Sequence, residues 1–319
     1  MRKERRLSQR LGATLRALLC WPLVGVLAVC GIRFAIVSNP GRIGHLAAEV
    51  DCFLKERALG LIPDEAPILL LDRNRAANKA LLDIYRRHFT VFDQRWQRKL
   101  LSELAKFQAV RLPLGRPVLG LGESARYPEV LSLWGDQSPA IELPEEIDAK
   151  GKSRLREMGV PDGEWFVCVH VREPGYSPRD DADHNHRNAD IGTFDAAIRA
   201  ITEKGGWVIR VGDPSMTPHQ AMPRVVDYAI SPLKTDWMDL WLCANNRFFV
   251  GTTSGLAMVA AMFGKASALA NMIPLGASYG SAPGDISIPK TLNDANGRPL
   301  SFSEVFGRNL SRQRYAHIF

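Results

Sequence analysis

Residues 247–255 read Arg-Phe-Phe-Val-Gly-Thr-Thr-Ser-Gly, and they give the clearest indication of how this chain folds. An apolar run that ends in a glycine and hydroxyl-rich turn, followed by a helical pattern over 256–263, is typical of a strand–turn–helix unit. Such a turn presents backbone N–H groups to an anion at the positive end of the helix. Ordinary capping by Ser or Thr explains the same residues, so the turn indicates a phosphate site only together with its context.

Strands and helices alternate on both sides of this turn. The pattern predicts strands at 34–38, 68–71, 165–171 and 207–211, and helices at 79–87, 194–203 and 238–243. Alternation of this kind is typical of mainly parallel sheets with helices on both faces, where ligands bind at the carboxyl ends of the strands. We therefore predict an α/β fold and look for site residues just after each strand.

The 319 residues exceed the roughly 100–200 residues of one domain, so we predict two. Residues 131–150 are rich in Pro, Glu and Asp and lose clear periodicity, which favours a boundary there. The prediction is a basic and apolar segment at 1–32, followed by two Rossmann-like doubly wound domains at 33–145 and 146–319 that face each other across a cleft.

The N-terminal segment indicates contact with a membrane. Much of the net charge of +7 lies ahead of the apolar run 17–32, in Arg2, Lys3, Arg5, Arg6, Arg10 and Arg16. That run is shorter than the roughly 20 residues that cross a bilayer, so a cleaved signal, a single anchor and a segment lying in the inner leaflet all remain open. We favour the last, which predicts an anionic membrane surface as partner, at the cytoplasmic face of the inner membrane.

Other partner classes are disfavoured by the composition. No basic patch is interleaved with aromatic residues, so no nucleic acid is predicted. The five cysteines are scattered without zinc-like spacing, which favours reduced thiols in a cytoplasmic compartment.

The strongest candidate residues follow the strands of the second domain. His170, Arg172 and Glu173 end one strand, and an arginine there can clamp a pyrophosphate with two parallel hydrogen bonds. Arg210, Gly212 and Asp213 repeat the arrangement one unit later. Each arrangement has a competing interpretation. Arg172 could form a structural salt bridge with Glu173, and residues 212–213 could form a plain turn.

The polar stretch 179–190 between these strands is a candidate loop over the donor sugar. Arg187, Asn188 and Asp190 could then bind hydroxyl or phosphate groups, with Asp190 also a candidate base. Two alternatives remain for this stretch. One is a metal site at Asp181, Asp183, His184 and His186, and the other is a merely solvated loop; no metal is predicted.

In the first domain, Gly41, Gly44 and His45 follow the first strand and open a helix. The spacing is not a dinucleotide fingerprint. His45 could serve as general base toward an acceptor hydroxyl, although capping and packing explain it equally.

Five segments within residues 165–275 resemble a family of bacterial surface-polysaccharide glycosyltransferases. They are HVRE, RNADI, GGWVIRVGDPSM, MDLWLCANNRFFVGTTSG and FGKASALANMIP. The pair His170 and Arg172 and the turn at 251–255 also look like donor sites of GDP-fucose-type transferases. The resemblance implies the two-domain GT-B fold and metal-independent transfer from a nucleoside diphosphate sugar, with no resident cofactor. By position it implies that Arg172 holds the diphosphate, that Thr252, Thr253 and Ser254 hold its phosphates, and that Asp239 lies on the nucleoside side. Gly251 and Gly255 would permit a phosphate to approach the backbone closely.

The sequence thus predicts an inverting glycosyltransferase that acts on a surface-glycan or lipid-linked acceptor. Arg172, Glu173, Asp190 and His45 are its candidate catalytic residues. A nucleotide-sugar epimerase or hydrolase on the same scaffold is one alternative, and a catalytically silent, membrane-attached nucleotide- or glycan-binding protein is another.

Overall fold

The computed structural model describes residues 20–114, 126–176, 184–276 and 282–310. The fold consists of two parallel β-sheets with helices packed on them, one sheet in each half of the chain. The last strand of the first sheet ends at Pro113 and the first strand of the second begins at Phe166, so the sheets lie on either side of residue 145.

The sheet of the first half has four strands. They are β1 (Phe34–Ile36), β2 (Ile68–Leu70), β3 (Thr90–Phe92) and β4 (Arg111–Pro113). Their order is β3-β2-β1-β4, and every pairing is parallel. The chain therefore runs to one side of β1 first and to the other side afterwards, which makes the end of β1 a place where a crevice forms.

The sheet of the second half has six strands. They are β5 (Phe166–His170), β6 (Trp207–Arg210), β7 (Val225–Val226), β8 (Phe249–Gly251), β9 (Ser267–Met272) and β10 (Ile286–Pro289). The order is β10-β9-β8-β5-β6-β7, again with parallel pairing throughout. The order reverses between β5 and β8, so a second crevice is expected beyond their carboxyl ends.

Helices cover both sheets. They are α1 (residues 20–29), α2 (Ile43–Ala58), α3 (Lys79–Tyr85), α4 (Arg95–Leu101), α5 (Arg126–Trp134), α6 (Glu145–Glu157), α7 (Asp195–Glu203), α8 (Asp236–Asn245), α9 (Gly255–Met262) and α10 (Phe302–Gly307). The predicted boundary stretch 131–150 holds the end of α5, an irregular connection at 135–144 and the start of α6.

The two halves share an apolar core. One hydrophobic cluster includes Val37 and Leu46 from the first half and Ile209 and Leu242 from the second. Polar contacts reinforce it, because Asp236 at the start of α8 accepts hydrogen bonds from the backbone N of Lys79 at 2.8 Å and, through its carbonyl, from Asn78 at 2.8 Å. The halves therefore have fixed relative positions along this seam.

The predicted membrane-associated segment is described only from residue 20 onward. There α1 packs one face on the first half, with Val24 fully buried. Within the described ranges, none of the helices has both the length and the apolar character needed to cross a membrane.

Candidate functional site

A cavity of about 300 Å³ lies between the two halves, where the topology places both crevices. Its walls include Arg172 and Glu173 beyond β5, Ser254 beyond β8, and Gly212 and Asp213 beyond β6. The start of α2, which follows β1, closes the opposite side. The candidate residues of both halves therefore meet at the carboxyl ends of the strands, as the fold class requires.

Two helix N-termini point into this cavity. Ile43 and Gly44 open α2, Gly255 and Leu256 open α9, and all four residues line the cavity. The first N–H groups of a helix have no partner within the helix and carry partial positive charge. Neither helix has an acidic residue in its first turn to neutralise that charge. The cavity therefore favours an anionic ligand.

Glycine allows the two helices to approach this closely. A Cβ added at Gly255 would lie 2.9 Å from the backbone N of Gly44 and 2.7 Å from Cγ2 of Ile43. A Cβ added at Gly44 would lie 3.0 Å from the Cα of Gly255. Any larger side chain at this crossing would separate the two N-termini.

Two arginines flank the N-terminus of α9. The backbone N–H of Arg172 donates to Thr252 Oγ1 at 2.9 Å, and its guanidinium donates to the carbonyl of His184 at 3.0 Å and to the side-chain oxygen of Asn188. The guanidinium of Arg187 donates to the carbonyl of Thr253 at 2.6 Å. Both guanidiniums are thus oriented by protein oxygens at the edge of the cavity, next to the helix end.

His170 contributes a neutral imidazole to the same wall. Its Nδ1 lies 3.0 Å from the carbonyl oxygen of Val211, which can only accept, so Nδ1 carries the proton. Burial lowers the pKa of His170 to about 4, and the neighbouring Arg210 and Arg172 act in the same direction. The ring therefore stays uncharged at neutral pH.

Lys234 and Asp239 form a charge pair at another part of the wall. Nζ of Lys234 lies 2.6 Å from the carboxylate of Asp239. Burial raises the pKa of Asp239, and the charge of Lys234 opposes that rise. The pair offers both a donor and an acceptor to a polar ligand.

His45 lies at the start of α2 with a carboxylate behind it. Its Nδ1 lies 2.8 Å from Oε1 of Glu49, one helical turn further along, whose side chain is 2% exposed. Glu49 also accepts a hydrogen bond from the backbone N of Ser38 at 2.7 Å and one from the Ser38 hydroxyl. The imidazole, which lines the cavity, is therefore held by a buried carboxylate that is itself fixed.

Glu173 and Arg210 differ from the sequence-based expectation. Arg210 is 1% exposed and does not line the cavity, because its guanidinium donates to Glu173 at 2.6 Å and to both carboxylate oxygens of Asp227 at 2.9 and 3.0 Å. Arg210 therefore lies behind the cavity wall, and its predicted contact with a ligand stays a prediction. Glu173 lines the cavity, but it is held by Arg210 and by the backbone N of Thr217 at 2.9 Å.

Several other predicted residues stand behind the cavity wall. Thr252 and Thr253 are fully buried, and the Thr253 hydroxyl donates to the carbonyl of Ile273 at 2.9 Å. Asp190 accepts from the backbone N of Gly192 at 2.8 Å, which is a local turn contact. Seven predicted residues do not line the cavity: Gly41, Asn188, Asp190, Arg210, Gly251, Thr252 and Thr253. These seven residues therefore lie outside the cavity lining.

The remaining predicted residues come together around the cavity. They are Gly44, His45, His170, Arg172, Glu173, Arg187, Gly212, Asp213, Asp239, Ser254 and Gly255. The sequence did not single out Arg42, Tyr176, Ser215, Lys234 or Asp236 as site residues, although these also line it. The signal available for Lys234 was its place in the short loop between Pro232 and the start of α8 at Asp236.

Two of the four residues of the alternative metal site lie outside the described residues. Asp181 and Asp183 lie outside them, and His184 contacts Arg42, with 3.4 Å between Nε2 of the histidine and Nη1 of the arginine. In the ranges that are described, no group of three His, Cys, Asp or Glu side chains is placed to hold a metal ion.

Comparisons with known proteins identify the fold. No protein-family profile matches the sequence, and no curated protein matches it either. A solved structure, that of the glycosyl transferase family 9 from Veillonella parvula, matches with a TM-score of 0.51 at 11% identity and covers 89% of this chain and 92% of that one. The chain therefore shares the two-sheet α/β fold of that structure, in keeping with the predicted GT-B class.

Two further solved structures superpose less well. Escherichia coli ADP-heptose LPS heptosyltransferase II has a TM-score of 0.49 at 10% identity, covering 88% of this chain and 96% of that one. E. coli heptosyltransferase WaaC with ADP has a TM-score of 0.43 at 11% identity, covering 88% and 99%.

Proposed function

We propose that this chain is a glycosyltransferase that transfers a sugar from a nucleoside diphosphate sugar bound between its halves. The observation that supports this most directly is the convergence of two helix N-termini, neither with an acidic residue in its first turn, and the Arg172 guanidinium on one cavity. This set of groups suits a diphosphate, which carries its charge on several oxygens and gains charge as it departs.

The cavity wall suggests how the donor would lie. The diphosphate would rest at the N-terminus of α9, with Arg172 and Arg187 beside it. The nucleoside would extend toward Lys234 and Asp239, since a carboxylate there can accept hydrogen bonds from ribose hydroxyls. The sugar would then face His45 on the opposite wall, which belongs to the first half.

His45 is the general base that we propose. An acceptor hydroxyl would attack the anomeric carbon while its proton passes to Nε2 of His45, and the bond from that carbon to the diphosphate oxygen would break. A single displacement inverts the anomeric centre. Glu173 and Asp190 serve less well as bases, because the first is paired with Arg210 and the second is used in a turn.

Charge on the leaving diphosphate would be met by Arg172, Arg187 and the helix ends, so the proposed reaction has no step that needs a metal ion or a resident cofactor. The acceptor in this proposal is a surface glycan or a lipid-linked glycan at the cytoplasmic face of the membrane.

Ligand binding tests the donor class directly. Thermal unfolding would be followed with ADP, GDP, UDP and their sugar conjugates, and one diphosphate series should raise the melting temperature through preferential binding to the folded state. Arg172→Ala should abolish that rise. Arg199→Ala is the matched control, because Arg199 is an exposed arginine of α7 that does not line the cavity.

Turnover distinguishes the alternatives. Release of nucleoside diphosphate would be measured with the stabilising donor, with and without a glycolipid extract as acceptor. Release that requires the extract and is lost in Arg172→Ala supports the transferase. Conversion of donor without acceptor would indicate an epimerase or hydrolase, and binding without turnover would indicate a silent binding protein.

A further inference from the structure

Two helices of the first half leave large apolar side chains in solvent. On α1, Trp21 is 58% exposed and Val29 is 90% exposed. On α4, Trp96 and Leu100 are each 67% exposed. We call these four residues, together with Leu23 and Val26 of α1, the docking face.

Both helices pack on the same side of the first half. The inner face of α1 places Val24 in a small hydrophobic cluster, and Leu101 at the end of α4 packs against that same cluster. The ring of Trp21 also lies 6.2 Å, between centroids, from that of Phe107, which follows α4. The two helices are therefore neighbours that pack on the same small core, and each leaves apolar side chains exposed.

Two basic side chains lie on the same helix as the exposed Trp96 and Leu100. Arg95 and Lys99 are exposed on α4, and that helix contains no acidic residue. Exposed tryptophan and aliphatic side chains next to lysine and arginine are the composition of surfaces that lie in the headgroup region of a bilayer.

We propose that the docking face binds an anionic lipid surface without crossing it. The apolar side chains would enter the headgroup boundary while Arg95 and Lys99 meet lipid phosphates. The charge argues against a second copy as the occupant, since two such faces would bring like charges together. This inference is independent of the glycosyltransferase proposal, because it uses no residue of the cavity.

Vesicle co-sedimentation of the full chain tests the proposal. Binding would be compared between vesicles of phosphatidylcholine alone and vesicles containing phosphatidylglycerol, at low and at high salt. We expect binding to the anionic vesicles that weakens with salt, because exposed charges are screened. The double variant Trp96→Ser with Leu100→Ser should lower the partition coefficient by about a hundredfold, since each such side chain contributes on the order of a factor of ten.

The second half offers a matched control. Phe302 and Phe306 are 60% and 59% exposed on α10, so Phe302→Ser with Phe306→Ser removes a similar apolar area elsewhere. That variant should bind like the unmodified chain. Equal binding of all three proteins, or equal binding to neutral and anionic vesicles, would overturn the proposal. A change of oligomeric state in the Trp96 and Leu100 variant, seen by analytical ultracentrifugation without vesicles, would assign the face to a second copy and would also overturn it.

Discussion

The carboxylate of Glu49 decides which nitrogen of His45 carries a proton. The carboxylate of Glu49 lies 2.8 Å from Nδ1 of His45, so Nδ1 is the donor and Nε2 is left as the acceptor that a general base needs. The same carboxylate also accepts from the backbone N and hydroxyl of Ser38, so its position does not depend on the histidine alone. Glu49 is therefore a positioning residue in the proposed reaction.

Glu49→Gln should lower kcat by roughly 10²- to 10³-fold with the affinity for the nucleoside diphosphate unchanged. The glutamine keeps the size of the side chain and can still accept from Ser38. Its amide group would then donate to Nδ1, which moves the ring proton to Nε2 and removes the base. Calorimetric titration of the diphosphate and steady-state kinetics would separate the two effects.

Glu56→Gln is the matched control on the same helix. Glu56 pairs with Arg126 and does not line the cavity, so its replacement should leave kcat unchanged. A Glu49→Gln enzyme with normal kcat would show that Glu49 does not orient a base.

Arg172 and Arg210 show which features of a single residue the sequence can predict. Arg172 and Arg210 each follow a pattern of apolar strand, arginine and polar turn, and the sequence assigns both to the ligand. The structure puts Arg172 at the cavity and surrounds Arg210 with two carboxylates. One of these carboxylates belongs to Asp227, which is 17 residues further along the chain than Arg210. Strand periodicity does not predict a contact between residues that far apart in the sequence.

At the scale of elements, the crossing of α2 and α9 controls the anion site. Gly255→Ala would push its Cβ against Gly44 and Ile43, whose backbone cannot move without separating the two N-termini. We expect a loss of about 1–3 kcal/mol in the free energy of unfolding, which is typical of overpacking, together with weaker diphosphate binding. Urea unfolding and calorimetric titration would measure the two quantities.

Gly307→Ala provides the comparison for that substitution. Gly307 ends α10, has nothing within 4 Å of an added Cβ, and does not line the cavity. Alanine there should be neutral or stabilising by up to about 1 kcal/mol. If Gly255→Ala behaved in the same way, close approach of the two helices would not matter for the site.

Elements with an apolar pattern were predictable, whereas those without one were not. The sequence predicts β5 and α9 to within one or two residues, because both are almost entirely buried. It misses α6, in which only Gly151 and Leu155 are buried, so that helix has little hydrophobic periodicity to detect. Its remaining signal was the charge distribution, since acidic residues fill its first turn and basic residues its last.

At the scale of the whole molecule, the shared core predicts that the two halves unfold together. Residues of both sheets belong to one hydrophobic cluster, and Asn78 strengthens the seam by capping α3 while donating to Asp236 in the other half. The sequence indicates two sheets but not this coupling, because the contacts between them are about 160 residues apart in the chain.

Asn78→Ala should therefore destabilise both halves equally. Asn78 is 1% exposed, and its loss removes a helix cap and a buried hydrogen bond, which together cost about 1–3 kcal/mol. Hydrogen-exchange mass spectrometry in increasing urea would follow peptides that contain β1 and β8, and their transitions should coincide and move together in the variant. Asn296→Ala, at an exposed turn, should move neither transition. Separate transitions in the unmodified chain, or a shift confined to the β1 peptide, would mean that the halves are independent domains and that the seam only brings them into contact.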